Sequence, residues 1–162
     1  MEIKPLLPEH WPQVKAIYES GIATGNATFE TTAPEWEKWN TGHIQSCRFV
    51  AVEGATVLGW AALTAVSSRC VYAGVAEVSV YIGGEHRGKG LGHALLQALI
   101  GASEENDFWT LTAGIFPENQ ASMRLHEKHG FRLVGYRERI GKMEGRWRNT
   151  IMLERRSRKV GV

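Results

Sequence analysis

The residues with the clearest chemical potential form one run, Arg87-Gly88-Lys89-Gly90-Leu91-Gly92-His93. Glycines at this density let a backbone approach an anion closely, and the run opens a segment in which Leu91, Leu95, Leu96, Leu99 and Ile100 recur at helical spacing. Free N–H groups at a helix start, with the macrodipole behind them, make a phosphate site. The familiar nucleotide patterns do not fit it. Gly83, Gly88 and Lys89 match the GxxxxGK(S/T) loop, but Gly90 stands where a Mg²⁺-binding hydroxyl is required, which sets a kinase or ATPase aside. The dinucleotide pattern GxGxxG fails because His93 or Leu95 takes the place of its third glycine. A glycine turn that only caps a helix remains the alternative.

Three further groups could work beside such a site. Glu77 is the one carboxylate in Val75-Ala76-Glu77-Val78-Ser79-Val80, and apolar surroundings raise a carboxylate's proton affinity toward that of a general base. A structural carboxylate satisfied by a sheet edge or an arginine is the competing reading. Arg69, just before that run, offers a fork that suits a substrate carboxylate; a solvent-facing arginine beside a packed Tyr72 explains it equally. His126 and His129 lie three apart on one predicted helix, with no third ligand and no HExxH pattern, so no metal is expected.

The elements that must position these groups follow from hydrophobic period. A short strand, residues 2–6, precedes a helix opened by Pro8 that shows Trp11, Val14, Ile17 and Tyr18 on one face and fades near Gly21 to Gly25. A second helix starts at Pro34 with Trp36, Trp39 and Ile44 inward, and a hairpin follows over 48–53 and 56–66. Residues 71–82 read as a long strand stopped by Gly83-Gly84, then the Leu91 helix, a strand over 108–116, a helix over 117–129 with Pro at its start and Gly130 past its end, and strands over 131–143 and 146–154. The order βααβββαβαββ describes an α/β (α+β) domain with a mixed, mostly antiparallel central sheet flanked by helices. Trp36, Trp39, Trp60 and Trp147 are expected in the core.

At 162 residues, 43% hydrophobic and 22% charged, with 18 Gly and 5 Pro, the chain is one domain, expected over 1–154, and neither collagenous nor disordered. No apolar stretch approaches the roughly 18 residues of a membrane span, and the N-terminus lacks the regions of a secretory signal, so the cytoplasm is expected. Cys47 and Cys70 read as reduced, buried thiols, with a disulfide or metal pair as the alternative. The net charge of +2 hides an asymmetry: residues 137–162 hold nine Lys or Arg against three Glu. Residues 155–162 are expected to form a basic C-terminal tail, solvated or, in the other reading, touching nucleic acid.

The pattern that does fit the glycine run is Arg87-x-x-Gly90-x-Gly92 after a valine-rich strand and before an alanine-leucine helix, which resembles the acyl-CoA loop of the GNAT superfamily of N-acyltransferases. Asn119-Gln120-Ala121-Ser122 and Leu125-His126-Glu127-Lys128-His129-Gly130-Phe131 are similar to the family's later segment, where an Asn just inside a helix touches the cofactor and a Gly-Phe pair starts the next strand. Residues 27–36 and 75–82 resemble the phosphinothricin acetyltransferase branch, which acetylates small amino-acid analogues such as phosphinothricin and methionine sulfoximine.

The resemblance implies a GNAT-like fold and direct transfer from acetyl-CoA, with no metal, to a small-molecule amine. It implies that Arg87, Gly88, Lys89, Gly90, Leu91, Gly92, His93 and Asn119, with the backbone of Val80, Tyr81 and Ile82 in an opened central strand, hold the cosubstrate. Glu77 takes the place of the general base. Many members have a Tyr where this chain has His126, so His126 either protonates the departing thiolate or stacks and packs. Phe29, Glu30, Arg69 and Tyr72 would face the acceptor. A covalent acyl-cysteine route is not expected, because neither thiol belongs to a recognisable Cys-His motif. The alternatives kept open are acetylation of protein N-termini or polyamines, and a non-catalytic CoA- or nucleic-acid-binding module. A homodimer is kept open as the quaternary state.

Overall fold

Strands form where β-branched and aromatic residues alternate, and seven do so here: β1 (Glu2–Pro5), β2 (Arg48–Glu53), β3 (Thr56–Ala65), β4 (Val75–Ile82), β5 (Thr110–Ile115), β6 (Arg132–Met143) and β7 (Arg146–Arg156). The computed structural model describes residues 1–162 and adds four helices, α1 (Trp11–Ala23), α2 (Trp36–Gly42), α3 (Leu91–Glu105) and α4 (Gln120–Lys128). The strands form one sheet in the order β1-β2-β3-β4-β5-β7-β6, in which only β4 and β5 run parallel.

Alternation gives the sheet two apolar faces, and each face has its own helices. Ala51, Ala61, Leu63, Ala76 and Val78 pack with Leu95, Leu96 and Leu99 of α3. Val50, Val52, Trp60 and Ala62 pack on the other side with Trp11 and Val14 of α1 and Trp39 of α2. Each large aliphatic side chain so buried contributes about 1.5–3 kcal/mol, which holds β4 rigid between two layers. Gly21 allows α1 to lie flat there, since a Cβ at that position would come 2.7 Å from the Tyr81 ring.

Several boundaries differ from the sequence reading, each for a local reason. β4 begins at Val75 because residues 70–72 form a 3-10 turn and Gly74 is spent holding the start of β5. Its carbonyl accepts the N–H groups of Trp109 and Thr110 at 2.8 and 3.1 Å, and a Cβ on it would lie 2.0 Å from the Trp109 ring. α4 starts after Pro117, because Asn119 caps it by accepting the Ser122 N–H at 3.2 Å. Trp39 and Trp60 are core residues, whereas Trp147 is 54% exposed. Cys47 is buried but Cys70 is exposed; both thiols are free.

The basic C-terminal segment is exposed at Arg156, Arg158 and Lys159 but is tied to the body at its start. β7 runs through Arg156, whose guanidinium donates to the carbonyls of Val160 and Gly161, both at 2.8 Å. Arg155 and the Ser157 hydroxyl both bond Glu104 of α3, at 3.1 and 3.0 Å. Arg155 and Arg156 are thereby committed to the protein's own body, which weakens a nucleic-acid contact through this segment. No helix is long and apolar enough to cross a membrane.

Candidate active site

β4 and β5 pair only from Val75↔Thr110 to Glu77↔Thr112. Beyond that point β4 continues along β3 to Ile82 and β5 continues along β7 to Ile115, so each presents one unpaired backbone edge to a widening gap. Glu77 stands at the fork. Two cavities, of about 390 and 530 Å³, meet in the gap and share Ala27, Val80, Tyr81, Asn119 and Ser122 as walls.

The larger cavity leads to the glycine run. Gly88 and Gly90 have φ of +77° and +78°, the left-handed region that glycine adopts without steric penalty, and Gly90 caps α3. No atom lies within 4 Å of where either would carry a Cβ, so the loop leaves open space at the positive end of a 15-residue helix. Arg87, Leu91, Gly92, His93 and Ile82 line this cavity. Lys89 sits in the loop but off the wall. These features suit a phosphorylated ligand with an extended arm: anion donors at one end, unpaired strand backbone at the other.

The smaller cavity holds Glu77, Ser79, Phe29, Phe116 and Arg137 among its walls. The Glu77 side chain is exposed to the cavity, yet partial desolvation by the cavity walls raises the proton affinity of its carboxylate, and the positive charge of Arg137 opposes that rise. Tyr81 is fixed by stacking on Trp60, with ring centroids 4.8 Å apart, and burial pushes its phenol well above the ordinary range, so it stays protonated.

His126 lines the same cavity at 4% exposure. Its Nδ1 donates to the Ser122 carbonyl at 2.7 Å, which leaves Nε2 without a proton in the neutral ring. Burial lowers its proton affinity, and Phe131 packs edge-on at 5.1 Å. This arrangement favours a packed wall over a proton donor. Asn119 bridges the two cavities, as it caps α4 and donates through Nδ2 to the Asn26 carbonyl at 3.3 Å.

Three expected acceptor residues are not brought to the cavity. Arg69 lies over the Tyr72 ring at 5.6 Å, both in the exposed turn that precedes β4, because the chain enters the ladder only after Gly74. Glu30 turns its backbone N–H to the Thr28 hydroxyl at 3.1 Å and lines neither cavity. Phe29 alone of the group is a wall residue, edge-on to Phe116 at 4.8 Å. Arg137, which sequence reasoning passed over, stands there instead. Its strand position on a long, mostly exposed hairpin gave no signal that one arginine borders the cavity. No group of three or more His, Cys, Asp or Glu is placed to hold a metal ion.

Residues 11–131 match the acetyltransferase (GNAT) family, and the chain belongs to it. It is 32% identical to an L-methionine sulfoximine/L-methionine sulfone acetyltransferase of Pseudomonas aeruginosa, over 84% of this chain and 83% of that protein. A crystal structure of a GNAT superfamily phosphinothricin acetyltransferase from Sinorhizobium meliloti in complex with acetyl-CoA superposes with TM-score 0.87 at 28% identity, covering 99% of this chain and 90% of that one. The structure of a ribosomal-protein-alanine N-acetyltransferase from Brucella melitensis superposes with TM-score 0.88 at 27% identity, covering 97% and 100%. The protein is an acetyl-CoA-dependent N-acetyltransferase.

The glycine loop can be tested by charge. Gly92→Asp adds a carboxylate in the first turn of α3, where a negative side chain stabilises the helix itself but repels a phosphate. Its Cβ meets Leu125 at 3.2 Å, a contact with a flexible side chain. Melting temperature should be nearly kept while CoA affinity falls by about tenfold or more, read by calorimetry. Unchanged affinity in the folded variant would remove this loop from the cofactor site.

Proposed function

We propose that this N-acetyltransferase acetylates the α-amino group of a small amino-acid analogue of the methionine sulfoximine or phosphinothricin kind, with Glu77 as general base and Arg137 holding the substrate carboxylate. One observation carries the reading: Glu77 and Arg137 are the acidic and guanidinium groups of one cavity, near enough for the charge of Arg137 to act on the Glu77 carboxyl, among otherwise aliphatic, aromatic, amide, hydroxyl and imidazole walls. That pairing matches a zwitterion, amine to carboxylate and carboxylate to guanidinium. A volume of about 390 Å³ suits a small molecule better than a peptide terminus, which needs an open groove.

In this reading Arg87 to His93 and Asn119 bind the cosubstrate, which supplies a thioester acetyl group. An α-amino group with a pKa of about 8 arrives mostly protonated, so Glu77, directly or through a water, accepts its proton. The neutral nitrogen then forms the amide bond as the thiol leaves. Backbone N–H groups near Val80 and Tyr81, on the edge that β5 leaves unpaired, polarise the acetyl carbonyl, a contribution of a few kcal/mol in acyl transfer. Neutral His126 shapes the wall.

The likeness to a ribosomal-protein-alanine N-acetyltransferase supports a second reading, a peptide N-terminus as acceptor. CoA release measured with methionine sulfoximine, phosphinothricin and alanine-starting peptides separates the two. The amino-acid analogues should react at least tenfold faster in kcat/KM. Turnover with peptides alone would overturn the proposal and leave the N-acetyltransferase activity standing.

A further inference from the structure

Arg148 on β7 lines neither cavity, yet its side chain is only 10% exposed. Its Nη1 donates to the Gly25 carbonyl at 2.8 Å, and its Nη2 donates to Asn26 Oδ1 at 2.8 Å and Glu118 Oε2 at 3.3 Å. The guanidinium lies over the Phe116 ring, 4.0 Å from its centroid. These partners belong to two segments: Gly25 and Asn26 begin the connection between α1 and α2, while Phe116 and Glu118 belong to the loop between β5 and α4.

The α1–α2 connection then crosses both cavities. Asn26 and Ala27 form part of the cofactor wall, and Ala27, Thr28 and Phe29 part of the acceptor wall. From Gly25 to Glu35 this segment has no helix or strand of its own, so side-chain contacts must hold it. Phe29 rests against Gly141, where a Cβ would come 2.8 Å from its ring, and Asn119 supplies one bond to Asn26. Lys15 ties the far end through Glu35 at 2.7 Å, and Arg148 supplies two more bonds at the end that crosses the cavities, where its part-buried, charge-assisted fork is the strongest tie.

We propose that Arg148 is a positioning residue that latches the α1–α2 connection over the junction of the two cavities, so that one side chain outside both sites sets affinity for both substrates. The inference rests on the reading that these cavities receive acetyl-CoA and the acceptor. Releasing the latch frees the wall segment without touching Glu77 or the strand edge, so binding should suffer and chemistry at saturation should not.

The test compares the wild type with Arg148→Ala and Arg148→Lys. Calorimetry with acetyl-CoA alone should give a Kd raised by about tenfold in the Ala variant, and steady-state kinetics an acceptor KM raised similarly, with kcat within about threefold. Added guanidinium should restore part of both affinities in Arg148→Ala, and Lys should restore less than half because it cannot make the fork. A folded Ala variant with unchanged acetyl-CoA affinity overturns the latch. So does a kcat loss with both affinities kept, or a fall in melting temperature and kcat together with no guanidinium rescue. Should Arg148→Ala fail to fold, Arg148→Gln keeps most of the stem but loses the charge and the fork, and must still raise the acetyl-CoA Kd a few-fold; no change there overturns the proposal equally. If the wild type does not acetylate methionine sulfoximine, the acceptor assignment falls while the acetyl-CoA arm still decides the latch.

Discussion

Glu77→Gln should lower kcat on the order of a hundredfold while leaving acetyl-CoA affinity within about twofold. Gln keeps the size and loses the charge, so what disappears is the capacity to accept a proton. The pH profile gives the more specific signature. Burial raises the Glu77 pKa, so the acid limb of kcat/KM should lie above the ordinary glutamate value of about 4.3 and should vanish in the variant. A second rise, set by the acceptor amine near a pKa of about 8, should remain in both enzymes. Stability moves the other way. A carboxylate whose folded pKa is raised favours folding below its unfolded pKa and loses that contribution as pH climbs through the folded one. Because the Glu77 side chain is exposed to the cavity and faces Arg137, solvent screens most of that contribution, and Glu77→Gln should melt close to the wild type. Wild-type turnover of the variant across pH 6 to 9 would make Glu77 structural.

The signals available in the sequence were local ones. The glycine run, its φ-positive Gly88 and Gly90 and the apolar stripe of α3 are neighbours in the chain, so spacing alone placed them correctly at one helix start. Period-2 alternation likewise set the order of strands, and the carboxylate in a valine strand was visible as an anomaly. What spacing could not express was where two strands stop pairing. The fork at Glu77↔Thr112 joins residues 35 positions apart, and it decides which side chains see the cavity. Arg69 precedes Glu77 closely in sequence and yet stays in an exposed turn, because Gly74 packs on Trp109 and delays the strand. Arg137 and Arg148 come from a hairpin that reads as a uniform basic run, and only the β5–β7 pairing carries it to the site. The tie between the start of the C-terminal segment and α3 is invisible to spacing for the same reason, since its partner Glu104 lies far away in the chain.

Arg137→Ala should raise the KM for amino-acid analogues about 10- to 150-fold, the range that follows from losing a charge-assisted pair of roughly 1.5–3 kcal/mol. Turnover at saturation should fall less, since the carboxylate contact is present in ground and transition states alike. The same arginine also acts on the base: its charge opposes the rise of the Glu77 pKa, so removing it lets burial act unopposed. Glu77 then stays protonated to higher pH, and the acid limb of kcat/KM should move upward in Arg137→Ala. A residue that merely packed the hairpin would shift neither the limb nor the discrimination between free acids and methyl esters. Arg69→Ala provides the contrast, because that guanidinium rests on Tyr72 outside the cavity. If methyl esters react with the wild type as well as free acids do, no carboxylate is being read. If Arg69→Ala instead of Arg137→Ala raises the KM, the acceptor lies toward the turn before β4.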